Sequence, residues 1–319
     1  MSFWGGRRIL VTGGSGFIGS HLVERLLSEG AQVRVVGRSR ERLQRHLPGL
    51  DVPFVEGTLH DLDTARTACH GCEMVFHVAA TVAGVGYNSK HPATLVFDNT
   101  TMGLNVMQAA VAEKVGRVLL CSSACVYRRH CGVPTQEDEG FMDDPEPTNF
   151  GYGWSKRYLE VLGRSYVDEY GIEVALPRPY NAYGPRDDFE WETNHVIPAL
   201  IRKVLEGHDP LTVWGDGTQT RTFLYATDFV AGLMLAMERH AVCQPINIGT
   251  SEEISVRHLI ELICELCGKT PRLVFDTSAP QGQPRRLGDI SKAAALGFEP
   301  RVPLREGLRR TIDWYQRTM

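Results

Sequence analysis

The chain has almost no charge imbalance. Its 34 lysines and arginines face 38 aspartates and glutamates, a formal net charge of −4 over 319 residues. That balance leaves no electrostatic footprint for nucleic acid or for an anionic membrane surface. No apolar run reaches the ~20 residues that a membrane span needs. The N-terminus, Met1-Ser2-Phe3-Trp4-Gly5-Gly6-Arg7-Arg8, leads straight into a short apolar strand and lacks the small-residue cleavage site of a signal peptide. A cytoplasmic protein is expected. Internal repeats and low-complexity tracts are also missing. Cys69/Cys72 and Cys264/Cys267 have C-x-x-C spacing, but neither pair is followed by a second pair at zinc-ribbon distance. No metal is expected, and the eight cysteines read as reduced thiols.

What is present is alternation. Residues 8–12, 32–36, 74–78, 115–121 and 174–177 read as strands. Residues 19–28, 99–113 and 156–170 have helical periodicity between them. Strands alternating with helices predict an α/β protein with a doubly wound parallel sheet. Residues 177–222 lose this regularity and are rich in Pro, Gly, Asn, Asp and aromatics, as a site-forming segment would be. Helices return at 228–238, 255–267 and 304–317.

Thr12-Gly13-Gly14-Ser15-Gly16-Phe17-Ile18-Gly19 joins the first strand to the first helix. Glycines at 13, 16 and 19 allow a tight turn, backbone approach to a pyrophosphate, and close helix–strand packing. The helix N-terminus then faces the phosphates. Downstream, Ser123 precedes Tyr152-Gly153-Trp154-Ser155-Lys156. A serine followed by Tyr-x-x-x-Lys suits hydride transfer at a secondary alcohol. The phenol moves the hydroxyl proton, the lysine lowers its pKa, and the serine orients the oxygen. Cys125 lies two residues past Ser123 and, on an extended strand end, points the same way. A thiol beside a nascent ketone can remove a proton from the neighbouring carbon.

These motifs resemble the short-chain dehydrogenase/reductase superfamily, in its extended branch of nucleotide-sugar enzymes (the NAD-dependent epimerase/dehydratase family). The matches also include His77-Val78-Ala79-Ala80, Asn99, Tyr180-Asn181-Ala182-Tyr183-Gly184-Pro185, Trp214-Gly215-Asp216-Gly217, Thr220-Arg221-Thr222-Phe223, Asn247-Ile248-Gly249 and Pro284-Arg285-Arg286. The resemblance implies a Rossmann domain over residues 1–178 that binds NAD(P). It also implies a smaller C-terminal α/β domain over 179–319 that holds a nucleoside-diphosphate hexose, with 222–248 packing back onto the first. A homodimer through helices 99–113 and 156–170 fits the same resemblance.

Ser-x-Cys-x-Tyr is similar to GDP-mannose 3,5-epimerases and GDP-fucose synthases, which use a cysteine as one of two epimerising groups. The partner here is His195 of Asn194-His195-Val196-Ile197-Pro198, as in the fucose synthases. Residues 213–221 look closer to the 3,5-epimerases. The resemblance implies cofactor contacts from Gly13, Ser15, Gly16, Phe17, Ile18, Gly19, Arg38, Asp61, Leu62, Ala79, Ala80, Asn99, Tyr152 and Lys156. For Asp61, helix N-capping is the competing use. Substrate contacts fall on Ser123, Asn181, Val196, Lys203, Trp214, Arg221 and Arg286, with the arginines suited to a diphosphate. For Trp214 and Phe223, burial competes with stacking.

The second strand ends Val36-Gly37-Arg38-Ser39-Arg40, without the acid that receives NAD ribose. Arg38 is placed to meet a 2′-phosphate, which favours NADP. Three activities are expected in order. The first is a redox-neutral GDP-hexose 3,5- or 5-epimerase. The second is a fucose-synthase-like epimerase–reductase consuming NADPH, or a UDP-sugar 4-epimerase. The third is a non-catalytic dinucleotide-binding protein.

Overall fold

A computed structural model describes residues 2–279 and 282–318, so Met1 of the N-terminal reading lies outside the described residues. The first half alternates as β1 (Arg8–Thr12), α1 (Phe17–Ser28), β2 (Gln32–Gly37), α2 (Arg40–His46), β3 (Phe54–Glu56), α3 (Leu62–Cys69), β4 (Met74–His77), the short α4 (Val85–Asn88), α5 (Pro92–Ala112), β5 (Arg117–Leu120), α6 (Phe150–Tyr170) and β6 (Glu173–Pro179). There follow β7 (Asn181–Tyr183), α7 (Val196–Leu205), β8 (Leu211–Trp214), β9 (Thr220–Tyr225), α8 (Ala226–Arg239), β10 (Val242–Ile248), β11 (Glu253–Ser255), α9 (Val256–Cys267), β12 (Leu273–Asp276), β13 (Arg285–Arg286), α10 (Ser291–Ala295) and α11 (Leu304–Thr318).

Among the described residues, one sheet has seven parallel strands in the order β10-β6-β5-β4-β1-β2-β3. Side chains alternate across it with period two. Ile9, Val11 and Phe76 face a core shared with Leu22 and Leu26 of α1 and Leu233 and Met237 of α8. Leu10, Val75 and Val118 face the opposite core, with Val106 of α5, Leu159 of α6, and Cys69 and Cys72. Both faces are covered, which is why these strands read as continuous apolar runs. The expected α/β doubly wound parallel sheet is therefore observed.

The chain order reverses between β1 and β4, and such a switch opens a crevice at the carboxyl ends of the strands. Beyond β6 the chain builds a smaller mixed region. There β9 pairs with β7, β11 and β13, and β8 pairs with β12. Its core joins Leu200 and Ile201 of α7, Ile260 and Ile263 of α9, and Leu308 and Ile312 of α11. The chain then returns, since α8 packs on α1 and β10 pairs with β6.

Two helices begin six or more residues earlier than their periodicity indicates. α5 opens at Pro92 and α6 at Phe150. Proline is well suited to the first helical position. In α6, Gly151 and Gly153 mask the helical pattern because they serve close packing. A Cβ at 151 would come within 2.4 Å of the Pro92 carbonyl oxygen. No helix among the described residues is long and apolar enough to cross a membrane, and no group of three or more His, Cys, Asp and Glu side chains could hold a metal ion.

Candidate active site

One cleft of about 1060 Å³ runs along the carboxyl ends of the sheet strands and under the smaller region. Behind its Gly13 and Val78 lining, Thr12 Oγ1 meets His77 Nδ1 at 3.0 Å and accepts from the Ala79 N–H at 3.1 Å. This tie joins the ends of β1 and β4 and sets the Val78-Ala79-Ala80 wall. Gly13 has φ +69°, and a Cβ there would stand 2.9 Å from Ala79 Cα. α1 starts after Gly16 with no side-chain cap and no acid in its first turn. Its leading N–H groups and positive dipole end thus remain for an anion.

The cleft brings together the expected Gly13, Ser15, Gly16, Phe17, Ile18, Gly19, Arg38, Ala79 and Ala80 at one end. These residues fit a dinucleotide. Asp61, Leu62 and Asn99 do not line the cleft. Asp61 caps α3 instead, accepting from Thr64 N at 2.9 Å and Thr64 Oγ1 at 2.6 Å. Asn99 is buried on Thr81 and Leu95 backbone groups. Thr58, Leu59 and His60, three residues earlier than expected, form that wall. Arg42 joins Arg38 there, on the first turn of α2, where Ser39 is the cap.

Ser123, Cys125, Tyr152, Lys156 and His195 also share the cleft. Tyr152 and Lys156 lie four apart on α6, hence on one face. Lys156 Nζ donates to the Cys121 carbonyl at 2.8 Å and stands 5.4 Å from the Tyr152 ring centre. Burial lowers the Lys156 pKa. Burial raises that of Tyr152 well above the usual phenol value; the nearby thiols add to this, while the Ser123 hydrogen bond and Arg286 pull back. The expected depression of the phenol is therefore not what the surrounding side chains produce.

Cys125 is not on an extended strand end. It lies in a short 3-10 turn, Ala124–Val126, capped by Ser123, whose Oγ accepts from the Cys125 N–H at 3.1 Å. The turn still carries Ser123 and Cys125 to the cleft. Arg286 Nη2 donates to Cys125 Sγ at 3.1 Å. Below the turn, a buried pair links Arg178 to Glu160, at 2.6 and 2.8 Å. Glu160 accepts from Ser122 Oγ, and Arg178 reaches Tyr127 Oη at 3.2 Å. Such a fully partnered network fixes the backbone that presents the reacting groups.

His195 is the N-cap residue of α7, but its side chain makes no capping bond. The imidazole is 43% exposed, with Nδ1 3.8 Å from Oδ1 of buried Asp187. Enclosure in the cleft lowers its pKa, yet the Asp187 carboxylate beside it and the charge of Asp188 outweigh this, so the net direction is up. Asn181, Val196, Lys203, Trp214, Arg221 and Arg286 line the remaining cleft. Asn181 Nδ2 donates to the Thr222 carbonyl, and Lys203 Nζ to the Thr212 carbonyl, each at 2.9 Å. Trp214 is exposed in the cleft mouth, whereas Phe223 is buried in the third core. Burial beside Arg286 lowers the Arg221 pKa to about 10. Two neighbouring guanidiniums suit a doubly charged anion. Asp187 escaped the sequence reading; its signal is only its place two residues after Pro185.

Residues 9–249 match the NAD dependent epimerase/dehydratase family, and the chain belongs to it. A GDP-L-fucose synthase of Sinorhizobium fredii is 33% identical over 97% of this chain and 95% of its own. A dTDP-4-dehydro-6-deoxy-D-allose reductase of a Streptomyces species is 33% identical over 98% and 97%. Among solved structures, the UDP-glucose 4-epimerase of Thermotoga maritima, with UDP-glucose, superposes with TM-score 0.85 at 30% identity, covering 98% of this chain and 99% of that one.

Proposed function

We propose that the protein is an NADPH-using epimerase–reductase acting on a nucleoside-diphosphate 4-ketohexose, with a GDP-sugar favoured. The observation that carries this reading is the convergence of Cys125 and His195 with Ser123, Tyr152 and Lys156 in one cleft. In this reading residues 1–178, with 222–248, hold the dinucleotide, and residues 179–319 hold the nucleotide sugar. When bound, the nicotinamide supplies the hydride to carbon 4.

The chain's own groups do the rest. Ser123 hydrogen-bonds the ketone oxygen. Cys125 takes a proton from the adjacent carbon, leaving an enolate, and His195 returns a proton on the opposite face. Tyr152, held protonated by burial, gives its proton to the carbon-4 oxygen as the alcohol forms. The fucose synthase and ketosugar reductase relatives move the second sequence expectation ahead of the redox-neutral one. Arg38 and Arg42 together favour NADP. A cytoplasmic homodimer completes the reading, supported by exposed Phe97 and Leu104 on α5 and Tyr158 and Val161 on α6.

The test offers purified protein GDP- and dTDP-linked 4-keto-6-deoxyhexoses with NADPH in deuterated water. Stoichiometric NADPH loss and deuterium at carbon 3, carbon 5 or both are expected. Conversion of GDP-mannose without added cofactor would restore the redox-neutral epimerase. Reduction with no deuterium at either carbon would make the protein a simple ketosugar reductase.

A further inference from the structure

We propose that Asp187 is a positioning residue for His195, holding the imidazole through Nδ1 so that Nε2 faces the sugar carbon as proton donor. This rests on the acid/base role given to His195 above. Three observations outside that role lead to it.

First, the loop carrying Asp187 is pinned to α1. His21 Nε2 bonds the Pro185 carbonyl at 2.9 Å. Arg186 pairs with Glu24 at 2.7 Å and reaches Ser20 Oγ at 3.4 Å. Second, Arg186 has φ +69° although it is not glycine. Such a conformation persists only where its surroundings over-determine it, and it turns the next side chain inward. Third, the Asp187 carboxylate is buried but incompletely partnered. Oδ1 accepts from the Asp188 N–H at 2.8 Å, while Oδ2 has no hydrogen-bond partner. A buried carboxylate is costly unless a cation or donor faces it. The cationic side chain beside it is His195, whose Nδ1 lies 3.8 Å from Oδ1, the oxygen that the Asp188 N–H also bonds.

That distance is within ion-pair range but too long for a formed hydrogen bond, and catalytic bonds of this kind often tighten only around substrate. Two carboxylates act on His195: Asp187 and Asp188. Asp188 is otherwise engaged, by the Glu190 N–H at 2.9 Å and by Thr193 Oγ1. Cys125, Tyr152, Lys203, Arg221 and Arg286 line the same cleft from other elements. The net upward direction of the His195 pKa agrees with the geometry. In the step served, the Nε2–H bond breaks and a C–H bond forms at the enolate carbon. The imidazole is left neutral until solvent protonates it, and no oxidant is needed.

The first arm is NMR titration of the imidazoles in the intact protein, with His195 assigned by His195→Gln. Asp187→Asn should lower the His195 midpoint by about one unit, while the other histidines keep theirs as a check of folding. An unchanged His195 midpoint overturns the proposal. This arm needs no substrate, so it is decided separately from the functional reading. The second arm is the pH profile of turnover with the 4-ketosugar. His195 must be protonated to donate, so Asp187→Asn should move the alkaline limb of kcat to lower pH and leave KM nearly unchanged. Asp187→Glu should restore part of the shift. A loss of kcat that is the same at every pH would mean that Asp187 is merely structural.

Discussion

Arg286 donates to Cys125 Sγ at 3.1 Å while sharing the cleft with Arg221. A guanidinium bonds a thiolate more strongly than a thiol, so Arg286 serves the sulfur as base as well as any diphosphate. Arg286→Met should slow deuterium exchange at the carbon served by Cys125 by about 10–10²-fold, the loss of one charge-assisted bond. Exchange at the other carbon should change less. Equal losses at both carbons, with only KM raised, would confine Arg286 to binding. Arg38 answers a second question at this scale. Arg38→Asp replaces a cation with a group that repels a 2′-phosphate and accepts from ribose hydroxyls. Titration followed by nicotinamide fluorescence should show NADPH weakened and NADH improved. Undiminished NADPH affinity would sink the assignment.

Between elements, the Cys125 turn fits against α6 only because residue 153 has no side chain. A Cβ at Gly153 would stand 2.4 Å from the Cys125 carbonyl oxygen and 2.5 Å from Pro145 Cβ. Both are firm atoms, so Gly153→Ala must push the turn away from Tyr152. The expected result is a loss of kcat by about 10²-fold, as for a misplacement near 1 Å, with destabilisation of roughly 1–3 kcal/mol from overpacking. Steady-state kinetics and urea melting check each part; wild-type kcat in the variant would mean that the turn is not held this way. The same glycine shows why parts of the fold were hard to read. β1 was legible to the residue because both of its faces are buried. The start of α6 was hidden by Gly151 and Gly153, whose value is tertiary. α7 lies in a stretch of irregular pattern because Pro198 sits near its start, where proline is tolerated. In the site, fixed spacings announced Ser123, Tyr152 and Lys156. Asp187 became visible only once the Arg186 turn placed it beside His195. Asp61 was drawn off by capping chemistry that acts within four residues.

Across the whole molecule, a joint of the sheet lies directly behind the cleft lining, which couples the site to acid stability. His77 is 2% exposed, at the end of β4 and bonded to Thr12 of β1. Burial, aided by the charge of Lys156, lowers its pKa to about 3. An unfolded histidine titrates near 6.5. The folded value is depressed, so the unfolded chain binds the proton first. The stability this neutral histidine contributes is present above about pH 6.5 and is lost as pH falls toward about 3. At pH 5 the loss from His77 alone is about 2 kcal/mol. His46, lowered to about 4 by burial and by Arg42, and the half-buried His21 push the same way. Urea unfolding at pH 7.5 and pH 5 should therefore show a marked fall for the native chain. His77→Gln keeps a hydrogen-bonding side chain beside Thr12 but cannot titrate. Its stability at pH 7.5 should be lower, and its fall to pH 5 smaller by about 2 kcal/mol. Equal falls in the two proteins would mean that His77 does not enter the acid transition, and that the joint between β1 and β4 opens independently of its protonation.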